Sequence, residues 1–328
     1  MPESMRAAVY DRPGSARDTL RVEEIDRPEP GPGEVRVRVL LSGVNPTDWK
    51  TRAGARGAGL GYDYVVPNQD GSGVIDAVGD GVDPSRLGQR VWIWFGQWQR
   101  QHGTAAEWIV VPERQAVPLP ENASFALGAS MGIPALTAHR CLFADGPIEG
   151  QTVLVAGGAG AVGHFAIELA KHAGARVIAT VSSSEKAKLA EAAGADLVVN
   201  YREGDTEDAL RHAAPDGIDR IIEVAPGYNL ELDLAVLAPA GSIVSYASDQ
   251  PELTARVFPL MQGNVTLRFV LVYTLPDEAL EAAIAGVGAA LRDGALSELP
   301  AHTFGLDEIA GAHDAVEQGA VGKVLVEP

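Results

Sequence analysis

The sequence predicts an α/β protein in which a doubly wound parallel sheet is joined to a smaller, β-rich domain. Three observations carry that expectation. Residues 151–174, QTVLVAGGAGAVGHFAIELAKHAG, read as a buried strand, a glycine turn and an amphipathic helix in immediate succession. After them, short apolar runs alternate with helical patterns, the texture of a parallel sheet with helices on both faces. Before them, β-forming residues cluster between prolines and glycines, as in a small closed β domain.

The central segment is the most specific. Thr152 to Ala156 is a short apolar, β-branched-rich run of the kind buried on both faces of a parallel sheet. From Val162 the apolar positions Val162, Phe165, Ala166, Leu169 and Ala170 recur at helical spacing, and Gly174 stands where a helix ends. Between the two lies Gly158-Ala159-Gly160-Ala161-Val162-Gly163, a G-x-G-x-x-G pattern with strand before and helix after. Gly158 is expected to permit the tight turn, Gly160 to let backbone N–H groups approach a pyrophosphate, and Gly163 to let the helix pack close to the strand. The helix N-terminus adds unpaired donors and a positive dipole end, so the segment predicts a dinucleotide site. In a chain with 37 glycines the alternative is a tight turn that holds no ligand.

Along the chain, strands are expected at Met5 to Tyr10, Leu20 to Ile25, Glu34 to Ser42, Val74 to Val78, Val91 to Phe95 and Ala106 to Val111. All five tryptophans lie between Trp49 and Trp108, which suggests an aromatic surface for a flat ligand, with core packing as the alternative. Trp98, in a loop, is the better pocket candidate. From Phe125 the texture turns helical, as Ala126 to Met131 and then, after a proline break, Pro134 to Leu142. Further strands are expected at Arg176 to Val181, Leu197 to Asn200, Arg220 to Val224 and Ser242 to Tyr246, with helices Glu185 to Ala193, Thr206 to Ala213 and Leu230 to Leu237 between them. Val265 to Tyr273 supplies a long last strand. Helices Asp277 to Arg292 and Asp307 to Glu317 and a strand Lys323 to Val326 close the chain.

Composition narrows the function classes. At 328 residues the chain accommodates two domains of ordinary size, and 46% hydrophobic with 21% charged residues is a globular composition. Lys plus Arg 26 against Asp plus Glu 44 gives a net charge of −18, which disfavours nucleic acid and anionic membrane surfaces as partners. Cys141, the single cysteine, excludes an internal disulfide and a site of several thiolates, and is expected to be a buried inert thiol. With no signal-peptide pattern and no apolar run of membrane-spanning length, the expected compartment is the cytoplasm.

The segments GVNPTDWKTRAG, DGSGVIDAVGDGV, GTAAEW, MGIPALTAHRCL, VLVAGGAGAVG, TVSSSEK and VNYREGD, in this order, resemble the medium-chain dehydrogenase/reductase superfamily, and within it quinone oxidoreductases of the zeta-crystallin type. The resemblance spans nearly the whole chain. It implies a Rossmann domain inserted into a GroES-like β-barrel catalytic domain, with residues 1–124 as the N-terminal catalytic part, 125–268 as the NADP-binding domain and 269–328 completing the catalytic domain. Zinc-dependent members carry Gly-His-Glu where this chain has Asn68-Gln69-Asp70, and a cysteine where it has Asn45. The resemblance therefore implies no metal, and the seven histidines show no ligand spacing.

Coenzyme choice reads at the end of the second strand of the nucleotide domain. NAD enzymes place an acidic residue there, whereas this chain has Thr180-Val181-Ser182-Ser183-Ser184-Glu185-Lys186. This resembles the NADPH-specific pattern, with Ser182 and Lys186 on the 2′-phosphate and Tyr201 assisting. Ser182 is alternatively a helix N-cap paired with Glu185, Lys186 a solvated helix residue and Tyr201 a packing residue. By the same resemblance Asn45 and Thr137 contact the nicotinamide and ribose side, and Gly160, Ala161 and Val162 the pyrophosphate. Asn45 is alternatively an N-cap, and Thr137 alternatively bonds a carbonyl one turn back. Lys50 and Arg56 stand where many bacterial quinone reductases have tyrosines.

Without a Lewis acid, hydride delivery to an electron-poor acceptor is favoured over alcohol oxidation. The leading expectation is an NADPH-dependent quinone oxidoreductase, with Asn45, Lys50 and Tyr62 as candidate catalytic residues and Tyr64 as a further proton donor. Lys50 and the two tyrosines are alternatively surface or packing residues. The competing expectations are an enone or enoyl reductase and a non-enzymatic NADPH-binding structural protein. The resemblance also implies a homodimer paired through the strand at Val265 to Tyr273, an edge that invites such pairing.

Overall fold

A computed structural model describes residues 3–55 and 61–328, so Arg56 lies outside the described residues. The chain divides into two compact units, one comprising Met1–Ile133 with Glu298–Pro328 and the other Pro134–Ser297.

The N-terminal part opens with β1 (Ser4–Val9), α1 (Ala16–Thr19) and β2 (Arg21–Asp26), the two strands forming an antiparallel ribbon. It continues through β3 (Glu34–Val44), α2 (Pro46–Arg52), β4 (Asp70–Val78), β5 (Arg90–Ile93), β6 (Trp108–Pro112) and β7 (Ala116–Pro118). Helix α3 (Phe125–Phe143) follows. The second unit holds β8 (Thr152–Ala156), α4 (Ala161–His172), β9 (Arg176–Val181), α5 (Ser184–Ala192), β10 (Leu197–Asn200), α6 (Thr206–Ala213) and β11 (Ile218–Glu223). It ends with α7 (Pro226–Val236), β12 (Leu237–Ser245), α8 (Val257–Gly263), β13 (Thr266–Phe269) and α9 (Asp277–Arg292). The tail, β14 (Ala301–Gly305), α10 (Ile309–Glu317) and β15 (Lys323–Glu327), belongs to the first unit.

In the first unit a seven-stranded sheet runs β14-β15-β3-β4-β5-β7, with β6 also on β3. Alternation along β3 explains its core: Val35, Val37 and Val39 are buried while Arg38 faces solvent. Arg36 is buried because its guanidinium meets Asp76 at 2.9 Å and Glu29 at 2.6 Å. Chain return by β15 is part of this sheet, since Val324 to Val326 pair antiparallel with Ser42 to Val44. Trp92 and Trp94 are core residues, and Trp108 donates to Asp76 Oδ2 at 2.7 Å, so three of the five tryptophans are structural. Trp98 is half-buried.

The second unit is a six-stranded parallel sheet in the order β10-β9-β8-β11-β12-β13. Strand order reverses between β8 and β11, the switch point at which doubly wound sheets bind ligands beyond the strand ends. The apolar core on one face gathers Leu154, Ile178, Ile221 and Ile243 from the strands against Leu210 of α6 and Leu230 and Val236 of α7.

Four expectations are corrected. The helix at Phe125 does not break at Pro134 but runs through it to Phe143. Proline has no N–H to lose, and Ile133 directs its own N–H to Asp70 Oδ1 at 2.8 Å, so the interrupted ladder is compensated by a side chain. The carbonyl of Ala129, one turn before Ile133, packs onto Gly43, where any Cβ would stand 2.0 Å from its oxygen. The last strand stops at Phe269, and Val272–Thr274 is a single 3₁₀ turn. The unit boundaries fall at 133/134 and 297/298 rather than at 124/125 and 268/269. The reason at the second boundary is packing, because α9 lies against α4 and Glu168 of α4 accepts the Ser297 N–H at 3.1 Å. Among the described residues no helix is long and apolar enough to cross a membrane.

Candidate functional site

In the second unit the chain leaves β8 through a turn whose left-handed residue is Gly157, with φ +69°, and not Gly158 as the sequence suggested. At Gly158 the constraint is space: a Cβ there would lie 2.8 Å from Ala179 Cβ and 3.0 Å from Ile167 Cδ1. Gly163 allows helix α4 to close on the turn, since a Cβ would meet the Gly157 carbonyl oxygen at 2.4 Å. Gly160 is different. A Cβ would meet nothing nearer than 3.4 Å and the residue is exposed, so its bare backbone leaves an open surface before the helix. The first intrahelical bond is His164 N–H to Gly160 O at 2.8 Å, which leaves the N–H groups of Ala161, Val162 and Gly163 without an acceptor one turn back. Such a cradle suits a phosphate, because aligned N–H donors and the helix dipole both favour negative charge.

Beside it, β9 ends at Val181 and α5 begins at Ser184. The N-cap is Ser183, whose Oγ accepts from Lys186 N–H at 3.3 Å, one residue later than the cap weighed for Ser182. Ser182 is thereby released from capping, and its Oγ receives the Lys186 ammonium at 3.1 Å. Tyr201 follows β10, its N–H bonded to Val181 O at 3.0 Å, with its side chain half exposed. Ser182, Lys186 and Tyr201 are therefore gathered at one strand end. Thr137 is buried in α3, in the same unit.

A cavity of about 260 Å³ opens at these strand ends, lined by Gly157, Thr180, Tyr201, Val224, Ala225 and Tyr228 among others. Its wall contains two carboxyl groups that the sequence reading passed over. Glu223 and Asp233 both line the cavity and are 0% and 1% exposed. Glu223 Oε1 accepts from the Val224 N–H at 2.7 Å, the Ala225 N–H at 2.5 Å and Asn229 Nδ2 at 3.1 Å. Burial pushes the Asp233 carboxyl up to about 9, helped by the charge of Glu223 and a hydrogen bond to it. Burial also raises Glu223. The available signal was a lone acid at the end of the apolar run Ile221-Ile222-Glu223.

The first unit has a buried polar centre around Asn45, the residue preceding α2. Asn45, the N-cap residue of α2, is 3% exposed. Its Nδ2 donates to Asp70 Oδ2 at 2.7 Å, and its Oδ1 accepts from Lys323 Nζ at 2.7 Å. The helix start is served by Asp48, whose carboxylate accepts the Asn45 N–H at 2.7 Å. Lys323 Nζ also stands 3.5 Å from Asp70 Oδ2. Burial draws the Asp70 carboxyl up and the Lys323 ammonium down, each opposed by the other's charge. A second chain runs from His313 Nε2 to Asn68 Oδ1 at 3.0 Å, and from Asn68 Nδ2 to Ser42 Oγ at 3.0 Å. Lys323 was read only as a strand residue. Of the candidate donors, Lys50 is exposed with its ammonium 5.7 Å from the Trp49 ring centre, Tyr62 donates to Gln99 O at 3.0 Å, and Tyr64 Oη lies 3.3 Å from His102 Nε2. Cys141 is buried, and burial raises its thiol pKa, so it is inert.

Two family models match the chain, one described as alcohol dehydrogenase GroES-like domain over residues 31–121 and one as zinc-binding dehydrogenase over residues 161–287. The chain is 30% identical over 329 residues to the human protein named quinone oxidoreductase, covering 98% of this chain and 97% of that one. It is 31% identical over 344 residues to the tomato protein named 2-methylene-furan-3-one reductase, covering 100% of this chain and 80% of the other. Among solved structures, a mycobacterial protein complexed with NADPH superposes with a TM-score of 0.84 at 27% identity, over 99% of this chain and 100% of that one.

The Asp70–Lys323 pair yields a test of stability. Lys323→Met leaves the Asp70 charge buried without its partner and should cost about 3 to 5 kcal/mol. Adding Asp70→Asn removes that charge while keeping an acceptor for the Ile133 N–H, and should restore much of the loss. Denaturant unfolding of both variants measures this; a double variant no more stable than Lys323→Met would show that charge compensation is not the reason for the pair.

Proposed function

The chain belongs to the medium-chain dehydrogenase/reductase superfamily of oxidoreductases, and from that premise we propose that it is a zinc-independent, NADPH-dependent quinone oxidoreductase. The observation that carries the coenzyme assignment is the Lys186 ammonium against Ser182 Oγ, at the strand end beside the glycine turn. In a chain of net charge −18, an added phosphate needs a local cation, and Lys186 supplies one. No carboxylate stands at Ser182 to favour the unphosphorylated ribose.

Bound there, NADPH would supply a hydride. The chain's own work is to bind and orient. The N–H groups of Ala161, Val162 and Gly163 would hold the pyrophosphate, Lys186 and Ser182 the 2′-phosphate, with Tyr201 beside them, and Thr137 and Asn45 would serve the nicotinamide side. Asn45 is suited to orient a ligand because Asp70 and Lys323 fix both ends of its amide. Of the candidate donors, Lys50 has an exposed ammonium, whereas Tyr62 already donates to Gln99 O. Zinc does not fit the polar centre. The Lys323 ammonium occupies the space between Asn45 and Asp70 in which a cation would be held, and among the described residues no three His, Cys, Asp or Glu side chains cluster as ligands. The tomato relative's name favours a second reading, reduction of an enone double bond.

We also infer a homodimer. Val257, Phe258 and Met261 of α8, with Phe269 and Leu271 at β13, are large apolar side chains left exposed next to a sheet edge. A patch of this kind beside an unpaired strand is covered most simply by its own copy about a two-fold axis.

Three measurements test these readings. Lys186→Ala should weaken NADPH binding about ten- to a hundredfold, the loss of one charge-assisted hydrogen bond, and leave NADH binding nearly unchanged; equal weakening of both would remove the phosphate role. NADPH oxidation should proceed with quinones at a rate that chelators do not alter, and preference for 2-alkenals over quinones in the same panel would establish the second reading instead. Light scattering at micromolar concentration should give twice the 34.4 kDa chain mass, and Phe258→Asp should halve it; a monomeric parent protein would exclude the dimer.

A further inference from the structure

We propose that Asp233 is a positioning residue of the coenzyme cleft: a proton shared between its carboxyl and that of Glu223 holds the turn from β11 to α7 in the shape that receives a dinucleotide. The proposal rests on the coenzyme reading above and concerns the same cleft. Its first support is geometric. Glu223 closes the sheet strand and Asp233 sits two turns along α7, both line the cavity, and neither is reached by solvent. Glu223 Oε1 is saturated by two backbone N–H groups and the Asn229 amide, which together define the turn. Glu223 Oε2 and Asp233 Oδ2 have no donor among the described residues. Two carboxylates buried in the wall of one cavity cannot both be ionised at small cost, and a single proton shared between the orphan oxygens satisfies both at once. It belongs on Asp233, because Glu223 already accepts three donors that favour its charged form.

Among the described residues, no cation lines the cavity to compensate the pair. The cavity lining includes no Lys, Arg or His, and its other ionisable members are the phenols of Tyr201 and Tyr228. Strand β12 carries no titratable residue, but Tyr246 directly after it donates its N–H to Glu223 O at 3.2 Å, and burial, with the charges of Cys141 and Glu223, holds its phenol above the usual range. On β11, Asp219 accepts from the Thr152 N–H at 2.7 Å and Arg220 turns to Ser242 Oγ. On α6, Glu207 pairs with Arg211 at 2.9 Å, while Asp208 and His212 are exposed; on α7, Glu231 pairs with Arg256 at 2.6 Å at the surface. The Asp233 carboxyl is raised to about 9, first by burial and then by Glu223. A raised pKa means that the folded state keeps a proton that the unfolded chain releases. The contribution of the pair is therefore whole below the ordinary aspartic range and is lost as pH rises through the folded value.

The experiment is the affinity for NADPH and NADH between about pH 7.5 and 10, a range above the second ionisation of a phosphate monoester near 6, in the parent protein and in Asp233→Asn. The asparagine amide donates to Glu223 without titrating. The parent protein should lose about tenfold in affinity for both dinucleotides by one pH unit above the pair's upper titration, and Asp233→Asn should lose markedly less. Every group outside the pair is the same in both proteins, so its effect cancels in the comparison. Glu223→Gln, whose amide donates to Asp233, is the second variant should the first not fold, and should flatten the profile likewise. Coincident profiles in parent and variant overturn this proposal and leave the coenzyme reading standing. Failure of NADPH to bind at pH 7.5 overturns that reading, and the proposal with it.

Discussion

The Asp70 carboxylate is shut away from water, so every group around it is there because it answers a buried negative charge. Asn45 gives it an amide N–H, Ile133 a backbone N–H and Lys323 a counter-charge. These partners come from the start of α2, the middle of α3 and the last strand of the chain. Each would be a liability alone: Lys323 an unpaired buried ammonium, Ile133 an orphan donor ahead of a proline. Around one carboxylate they are mutually satisfied. That constraint draws β15, far away in sequence, onto β3 and lets α3 pass through Pro134 without breaking.

The second unit is organised by close approach more than by charge. Gly157 takes the left-handed turn, Gly158 makes room for Ala179 and Ile167, and Gly163 lets α4 sit against the Gly157 carbonyl. Those three glycines explain themselves by chain packing. Gly160 does not, and an open backbone position ahead of unbonded helix N–H groups is what a phosphate requires. The neighbouring strand end adds Lys186 and Ser182, so that a cation meets the place where an extra phosphate would sit.

Both units thus bury carboxylates but neutralise them differently. Asp70 is held by a lysine and by N–H donors, which keeps a charged cluster together. Glu223 and Asp233 have no cation among the cavity-lining residues and depend on a proton. The first arrangement keeps a cation site filled by the protein itself. The second makes the shape of a cleft sensitive to its protonation.

The sequence by itself determined the parallel sheet, because fully buried strands must be continuous apolar runs and surface helices must repeat near every third or fourth residue. Arg176–Val181, Leu197–Asn200, Thr206–Ala213 and Asp277–Arg292 are found at the ends expected for them. The gathering of Ser182, Lys186 and Tyr201 was legible because Ser182 and Tyr201 follow neighbouring strands, Lys186 lies in the first turn of the helix after Ser182, and sheet topology brings strand ends together. Tertiary structure alone decided what depends on partners distant in sequence. Pro134 reads as a break until Asp70 supplies an acceptor to Ile133, Lys323 reads as an ordinary strand residue until Asn45 and Asp70 surround it, and Glu223 reads as a strand terminus until α7 turns Asp233 onto it. Local pattern encodes which face of an element is buried; it carries no record of which polar group from elsewhere in the chain will meet that face, and that pairing is set by packing.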